Sequence, residues 1–323
     1  MDAMPHIDSE YSSVPLETLR ANYESGALTK REYCREIWKI HQRLFEYANF
    51  LCGTNVQAIE ITEEGVVLRM RDPQLKLWST PNEYGQVALG NLNFRQYEAE
   101  ELSAVMRLGN SCRVFFDVGA NVGLYSIALA QRFPDSKVIA FEPIPYTYSE
   151  LKHNLELNHI ENVTPYNMGL SDHPRNAPFY FDPTASGAAS GAPLGSEFGV
   201  TETLVCPVDT LDNFVDRIGC SPDFIKCDVE GGEFQVFRGA TSVLEHAKPM
   251  IFSEMLRKWS KRFGYHPNEI IAFLQQFGYQ CFVLSEGMLR PFLRMTEQTM
   301  ETNFFFLNTE RHIETVRSVG LMK

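Results

Sequence analysis

No C-x-x-C pair occurs among the seven cysteines Cys34, Cys52, Cys112, Cys206, Cys220, Cys227 and Cys281. Their odd number and scattered spacing argue against a disulfide framework and a thiolate zinc site, and for a reducing, cytoplasmic compartment. Basic residues are in short supply. Lys and Arg total 29 against 41 Asp and Glu, a formal net charge of −12. Nucleic acid is bound through cations that displace counterions, so no nucleic-acid partner is expected. Adsorption to an anionic membrane is disfavoured for the same reason. No apolar run approaches the length of a membrane span, and the N-terminal MDAMPHIDSE lacks the apolar core of a signal peptide. No internal repeat appears.

What is present suits a globular protein. The 323 residues are 44% apolar, enough to bury a sizeable core. The first fifteen or so residues read as a loose tail. Thr29 to Glu32 has capping-box spacing, and Tyr33, Ile37, Ile40, Leu44, Tyr47 and Leu51 then mark one helix face. That face packs on a neighbouring domain or forms a homodimer contact. A hairpin follows, with strands at 56–61 and 66–70 around Glu63-Glu64-Gly65. Residues 73–93 read as loop with short elements, and 98–108 as helix.

From Arg113 the texture changes. Apolar runs at 114–118, 137–141, 163–168, 223–229, 250–255, 280–284 and 303–307 read as strands. Helical patterns at 124–133, 146–158 and 268–277 separate some of them. Continuous apolar strands alternating with helices predict an α/β fold, a mostly parallel sheet covered on both faces. The segment PTASGAASGAPLGSEFG, 183–199, is nearly all small residues. It reads as a surface loop or as a lid over a site.

The turn DVGANVG, Asp117 to Gly123, lies where a strand becomes a helix. A dinucleotide turn carries G-x-G-x-x-G and aims its helix at a pyrophosphate. Here position 121 is Asn, the spacing is G-x-x-x-G, and Asp117 sets a carboxylate where a phosphate would sit. A cationic ligand end is favoured. Glu142 ends the next strand, where a carboxylate can accept two ribose hydroxyls. An adenosine with a free ribose and a positive or zwitterionic tail meets both demands, as S-adenosylmethionine does.

A second informative stretch is FIKCDVEGGE, 224–233. Strand period two puts Phe224, Lys226 and Asp228 on one face. A lysine in a strand buried on both sides is costly unless paired. Lys226 with Asp228 and Glu230 therefore reads as a polar cluster at the ligand-binding edge of the sheet. Methyl transfer to an alcohol needs an in-line oxygen and a group to take its proton. Asp228 and Glu230 are the first candidates. Glu254, ending the strand at 250–255, is a third carboxylate at that edge, and His266 is a base or a helix cap. No residue is assigned as a metal ligand, though three carboxylates at one edge could instead hold a divalent cation.

Together, DVGANVG at 117–123, FEPIPYTYSELKHNLELN at 141–158, GLSD at 169–172, PVDTLDNF at 207–214 and FIKCDVEGGEFQVFRGA at 224–240 resemble the FkbM family of S-adenosylmethionine-dependent methyltransferases. The resemblance spans about 113–308. It implies a class I, Rossmann-like methyltransferase fold of seven strands, the last antiparallel, with helices on both faces. It implies O-methylation of a sugar, glycan or secondary-metabolite hydroxyl. It assigns Asp117, Gly119, Ala120, Asn121 and Gly123 to the methionine end of the cofactor, Glu142 and Pro143 to the ribose, and the turn of Gly169, Ser171 and Asp172 to the vicinity of the adenine. Asp228, Glu230 and Glu233 fall in the family signature, with Asp228 also near the cofactor. The chain then divides into an extension at 1–110, a methyltransferase domain at 111–310 and a tail at 311–323. Two other readings compete: a nucleotide-dependent oxidoreductase, opposed by Asn121, and a cofactor-binding module without turnover, opposed by the intact Lys226–Asp228–Glu230 cluster.

Overall fold

A computed structural model describes residues 14–81, 83, 85–95, 97–195 and 201–319. The chain divides into two compact units, 1–54 and 55–323. The first holds α1 (Leu16–Glu24) and α2 (Lys30–Phe50), with Tyr23 stacked on Tyr33 between them. The capping box forms: Thr29 accepts from the Glu32 amide, and the Glu32 carboxylate accepts from the Thr29 amide. The division falls ahead of the boundary near 110 that the sequence suggests, so the hairpin belongs to the large unit.

The large unit begins with β1 (Val56–Thr62), β2 (Gly65–Met70) and β3 (Lys76–Ser79), an antiparallel sheet. Then come α3 (Val87–Asn93) and α4 (Ala99–Leu108). The winding proper runs through β4 (Val114–Val118), α5 (Leu124–Arg132), β5 (Lys137–Phe141), α6 (Pro145–Leu157) and β6 (Val163–Tyr166). Asn154 and Asn158 at the end of α6 pin β3. The Asn154 side chain accepts from the Trp78 amide at 2.8 Å and donates to the Val122 carbonyl, while Asn158 brackets Lys76.

A second sheet interrupts the winding: β7 (Gly169–Leu170), β8 (Arg175–Asp182), β9 (Ala185–Ser190) and β10 (Glu202–Asp209), in the order β7-β10-β8-β9. The small-residue segment expected to be a loop or lid is thus in part a strand. Paired against β8, its backbone polar groups gain partners that its side chains do not offer. Residues 196–199 of that reading lie outside the described residues.

After α7 (Leu211–Ile218) come β11 (Phe224–Cys227), α8 (Glu233–Arg238), β12 (Met250–Glu254), α9 (Arg257–Ser260), α10 (Pro267–Gln275), β13 (Tyr279–Ser285), β14 (Met288–Pro291), β15 (Asn303–Asn308) and α11 (Ile313–Val319). The main sheet reads β14-β13-β15-β12-β11-β4-β5-β6. It is eight-stranded and mixed, which corrects the expected seven. β15 is antiparallel to both its neighbours, and β14 folds back on β13 as an added edge strand across the tight turn at Glu286-Gly287. The remaining six strands run in one sense, β12, β11, β4, β5 and β6 pairing in parallel. Parallel strands with helices on both faces are buried throughout, so Phe115, Phe116, Phe141, Phe224 and Phe304 to Phe306 are all within 1% of full burial. Each such ring contributes roughly 1.5–3 kcal/mol on leaving water.

Candidate active site

The carboxyl ends of β4, β5, β11 and β12 open onto one cavity of about 520 Å³. Open α/β sheets bind ligands at this edge. Its floor is the turn after β4. Gly119 takes φ 76°, and a Cβ there would lie 1.8 Å from the Asp228 carbonyl oxygen, so only glycine lets the tips of β4 and β11 meet. Gly123, at φ 96°, caps α5 and faces Leu151 rather than the cavity. Ala120 and Asn121 line the cavity directly.

Glu142, at the tip of β5, is buried and lines the same cavity. Its carboxylate accepts from the Asn121 amide at 3.0 Å and the Ile144 amide at 2.9 Å. Burial pushes its pKa up to about 7, against those two amides. Each oxygen keeps a lone pair for a further donor. Pro143, Gly169, Ser171 and Asp172 line the cavity beyond it. Burial would raise the Asp172 carboxyl, but His173 and Arg175 hold it below the ordinary range.

Asp117 is placed otherwise than the sequence suggests. It is fully buried and does not line the cavity. One oxygen accepts from the Ser126 hydroxyl at 2.6 Å, and the other lies 3.5 Å from the Lys226 ammonium. The charge that seemed to await a cationic ligand instead holds Lys226. That lysine donates to the Gly119 carbonyl at 2.7 Å, lies 3.4 Å from Asp228 and sits 5.5 Å above the Tyr125 ring. Burial would lower its pKa, but Asp228, Asp117 and Glu98 more than offset this and raise it. Lys226 is thus a fixed ammonium, unsuited to acting as a base.

The acidic cluster forms as expected. Asp228, Glu230 and Glu254 all line the cavity, and one carboxylate oxygen from each lies within 4.8 Å of the others. Burial and mutual repulsion raise Glu254 to about 9 and Glu230 well above its ordinary value. Glu230 stands at φ 51° in the left-handed region, and its Oε2 is buried without a hydrogen-bond partner. Two contacts hold its backbone. Ser190 of β9 donates to its carbonyl at 2.7 Å, and Glu233 accepts from the Val229 and Gly231 amides on either side. Glu233, with Tyr265 on its second oxygen, therefore staples this loop from beneath and does not line the cavity.

His266 does not join the site. It caps α10, its Nδ1 accepting from the Asn268 amide while Glu269 accepts from its own amide. Other residues do join it. Tyr97 and Glu98 come from the segment before α4, Tyr125 from α5, Gln235 from α8, and Gly187 and Ala189 from β9. Tyr125 directly follows the glycine turn and was open to inference, whereas Glu98 sits among the acids of YEAEEL with nothing to single it out.

A glycine turn and the strand-tip Glu142 thus stand beside a carboxylate cluster at the ligand-binding edge of a doubly wound sheet. The chain belongs to the family defined by the methyltransferase FkbM domain, whose model matches residues 117–281. It is 28% identical over 195 residues to methyltransferase sdnD of Sordaria araneosa, covering 50% of this chain and 72% of that protein. It is 26% identical over 140 residues to methyltransferase 1 of Beauveria bassiana, covering 38% and 56%. It is 27% identical over 132 residues to hexuronic acid methyltransferase AglP of Haloferax volcanii, covering 41% and 52%. The chain thus spans little more than half the length of two of these relatives.

Proposed function

We propose that this chain transfers a methyl group from S-adenosylmethionine to a hydroxyl of a small molecule or glycan, in a cytoplasmic setting. One observation carries the reading: the glycine turn, Glu142 and the Asp228–Glu230–Glu254 cluster open into one cavity. The residues present fit the cofactor. Gly119 to Asn121 offer a backbone cradle, and Glu142 offers a buried carboxylate for a ribose. Bound there, S-adenosylmethionine supplies an electrophilic methyl. The protein orients the acceptor oxygen and provides Asp228 as proton acceptor, with Lys226 fixing that carboxylate. The relative named as a hexuronic acid methyltransferase supports a sugar-type acceptor.

The carboxylate oxygens within 4.8 Å of one another favour a second reading of the cluster, in which Asp228, Glu230 and Glu254 hold a divalent cation that orients the acceptor. Methyl-labelled S-adenosylmethionine, supplied with small-molecule and glycan fractions with and without chelator, separates the readings. Base-stable label in a sugar-containing fraction is expected. Loss of label on chelation would move the cluster to the cation. Absence of label with S-adenosylhomocysteine still bound would favour a module without turnover, and preference for a dinucleotide would favour the oxidoreductase.

A further inference from the structure

Glu98 is the N-cap of α4, yet its side chain does not cap the helix it begins; its carboxylate is held near the Tyr97 and Tyr125 hydroxyls. Its backbone lies at φ 50°, ψ 18°, the left-handed region, which costs a residue with a Cβ about 1 kcal/mol. A glycine or asparagine would serve the turn with less strain. The carboxylate instead turns into the cavity, where Tyr97 lines the wall beside it. It interacts with Asp228 and Lys226, and its charge is also felt at Glu254 and Tyr97. It lines the same cavity as Asp228 and Glu254 at the β11 and β12 tips, which we take as the acceptor side. It precedes residues 117–281, the span of the family domain.

We propose that Glu98 is a second catalytic carboxylate, lining the cavity together with Asp228 and Lys226, and that the two carboxylates hold the acceptor hydroxyl and take its proton. This rests on the reading of the site as a methyltransferase. In the step, a lone pair of the acceptor oxygen forms the new C–O bond. The C–S bond breaks with its electrons on sulfur, leaving a neutral thioether. The O–H electrons return to oxygen, and the proton passes to the carboxylate pair. The Lys226 ammonium lies 3.4 Å from Asp228 and offsets the repulsion between the two acids. The acceptor side of the site is then built in part from a segment that precedes residues 117–281.

Sinefungin, the cofactor analogue with an amine in place of the sulfonium methyl, tests this without knowing the acceptor. Carboxylates facing the transferred methyl favour that amine over S-adenosylhomocysteine. Titration calorimetry on Glu98→Gln should weaken sinefungin by about tenfold, the scale of one charge-assisted hydrogen bond. S-adenosylhomocysteine should stay within threefold. Glu100→Gln, on the exposed side of the same helix, should change neither. Equal weakening of both ligands would place Glu98 at the methionine end and overturn the proposal, as would an unchanged ratio. If the Gln variant does not fold, Glu98→Asp keeps the charge but withdraws it by one methylene, and the same fall in ratio is expected. Failure of the unaltered protein to bind either ligand would instead defeat the methyltransferase reading itself.

Discussion

Under the proposed function Glu142 would join the ligand to the backbone, since the amides it holds belong to the glycine turn and to the start of α6. Glu142→Ala should weaken S-adenosylhomocysteine by about 1–3 kcal/mol, the cost of stranding buried polar partners. Calorimetry showing unchanged affinity would remove it from the ribose. Its raised pKa, about 7, adds a pH dependence. Only the ionised carboxylate accepts both ribose hydroxyls, so affinity should rise as pH climbs through 7, and Glu142→Gln should flatten that rise. Asp117 behaves differently. Wholly buried between Ser126 and Lys226, it should act on stability first. Asp117→Asn should cost about 3 kcal/mol, because it leaves a buried ammonium short of a partner. Denaturant unfolding measures this. Full stability with lost cofactor affinity would restore Asp117 to the ligand.

At the scale of elements, the site is the meeting of strand tips. β4 and β11 touch through Gly119 and the Asp228 carbonyl. Gly119→Ala must separate them and should abolish S-adenosylhomocysteine binding while lowering the melting temperature. An alanine variant that binds normally would show that the tips can part without disturbing the cradle. β9 closes the opposite wall and grips Glu230 through Ser190. Its cavity-facing Gly187 and Ala189 leave volume that larger side chains would take. Seven strands of the main sheet, with α5, α6 and α10, were legible within a residue or two because buried strands read as unbroken apolar runs, whereas the second sheet, the edge strand β14 and α7 to α9 were not. β9 was not legible. Alanine, serine and glycine carry little strand preference, and pairing with β8 is a long-range event.

The whole molecule carries a pH signature. Burial raises Glu142, Glu150 and Glu233 to about 7 and Glu254 to about 9. The folded chain therefore holds protons that the unfolded chain has released. That contribution is fully present below the unfolded carboxylate range and is lost as pH rises through 7 and on toward 9. Asp172 and Asp209, held low, have the opposite sign but act only in acid. The ligand-free protein should melt several degrees lower at about pH 8 than at about pH 6. A flat profile would mean that a bound cation discharges the cluster. The two compact units give a further test: a chain starting at Asn55 should melt near the full-length value and still bind S-adenosylhomocysteine.

The sequence by itself determined the doubly wound α/β architecture, the glycine turn and the carboxylates at the strand tips. Each of these is a local pattern of periodicity or residue type within a short stretch. Only the tertiary structure decided which carboxylates face the cavity. Asp117 turned inward because Lys226, more than a hundred positions away, needed a partner once both were buried. His266 became a cap because the helix beginning at Pro267 left amides to satisfy. Glu98 lines the cavity with Asp228 and Lys226, a juxtaposition that nothing in its own neighbourhood of sequence encodes.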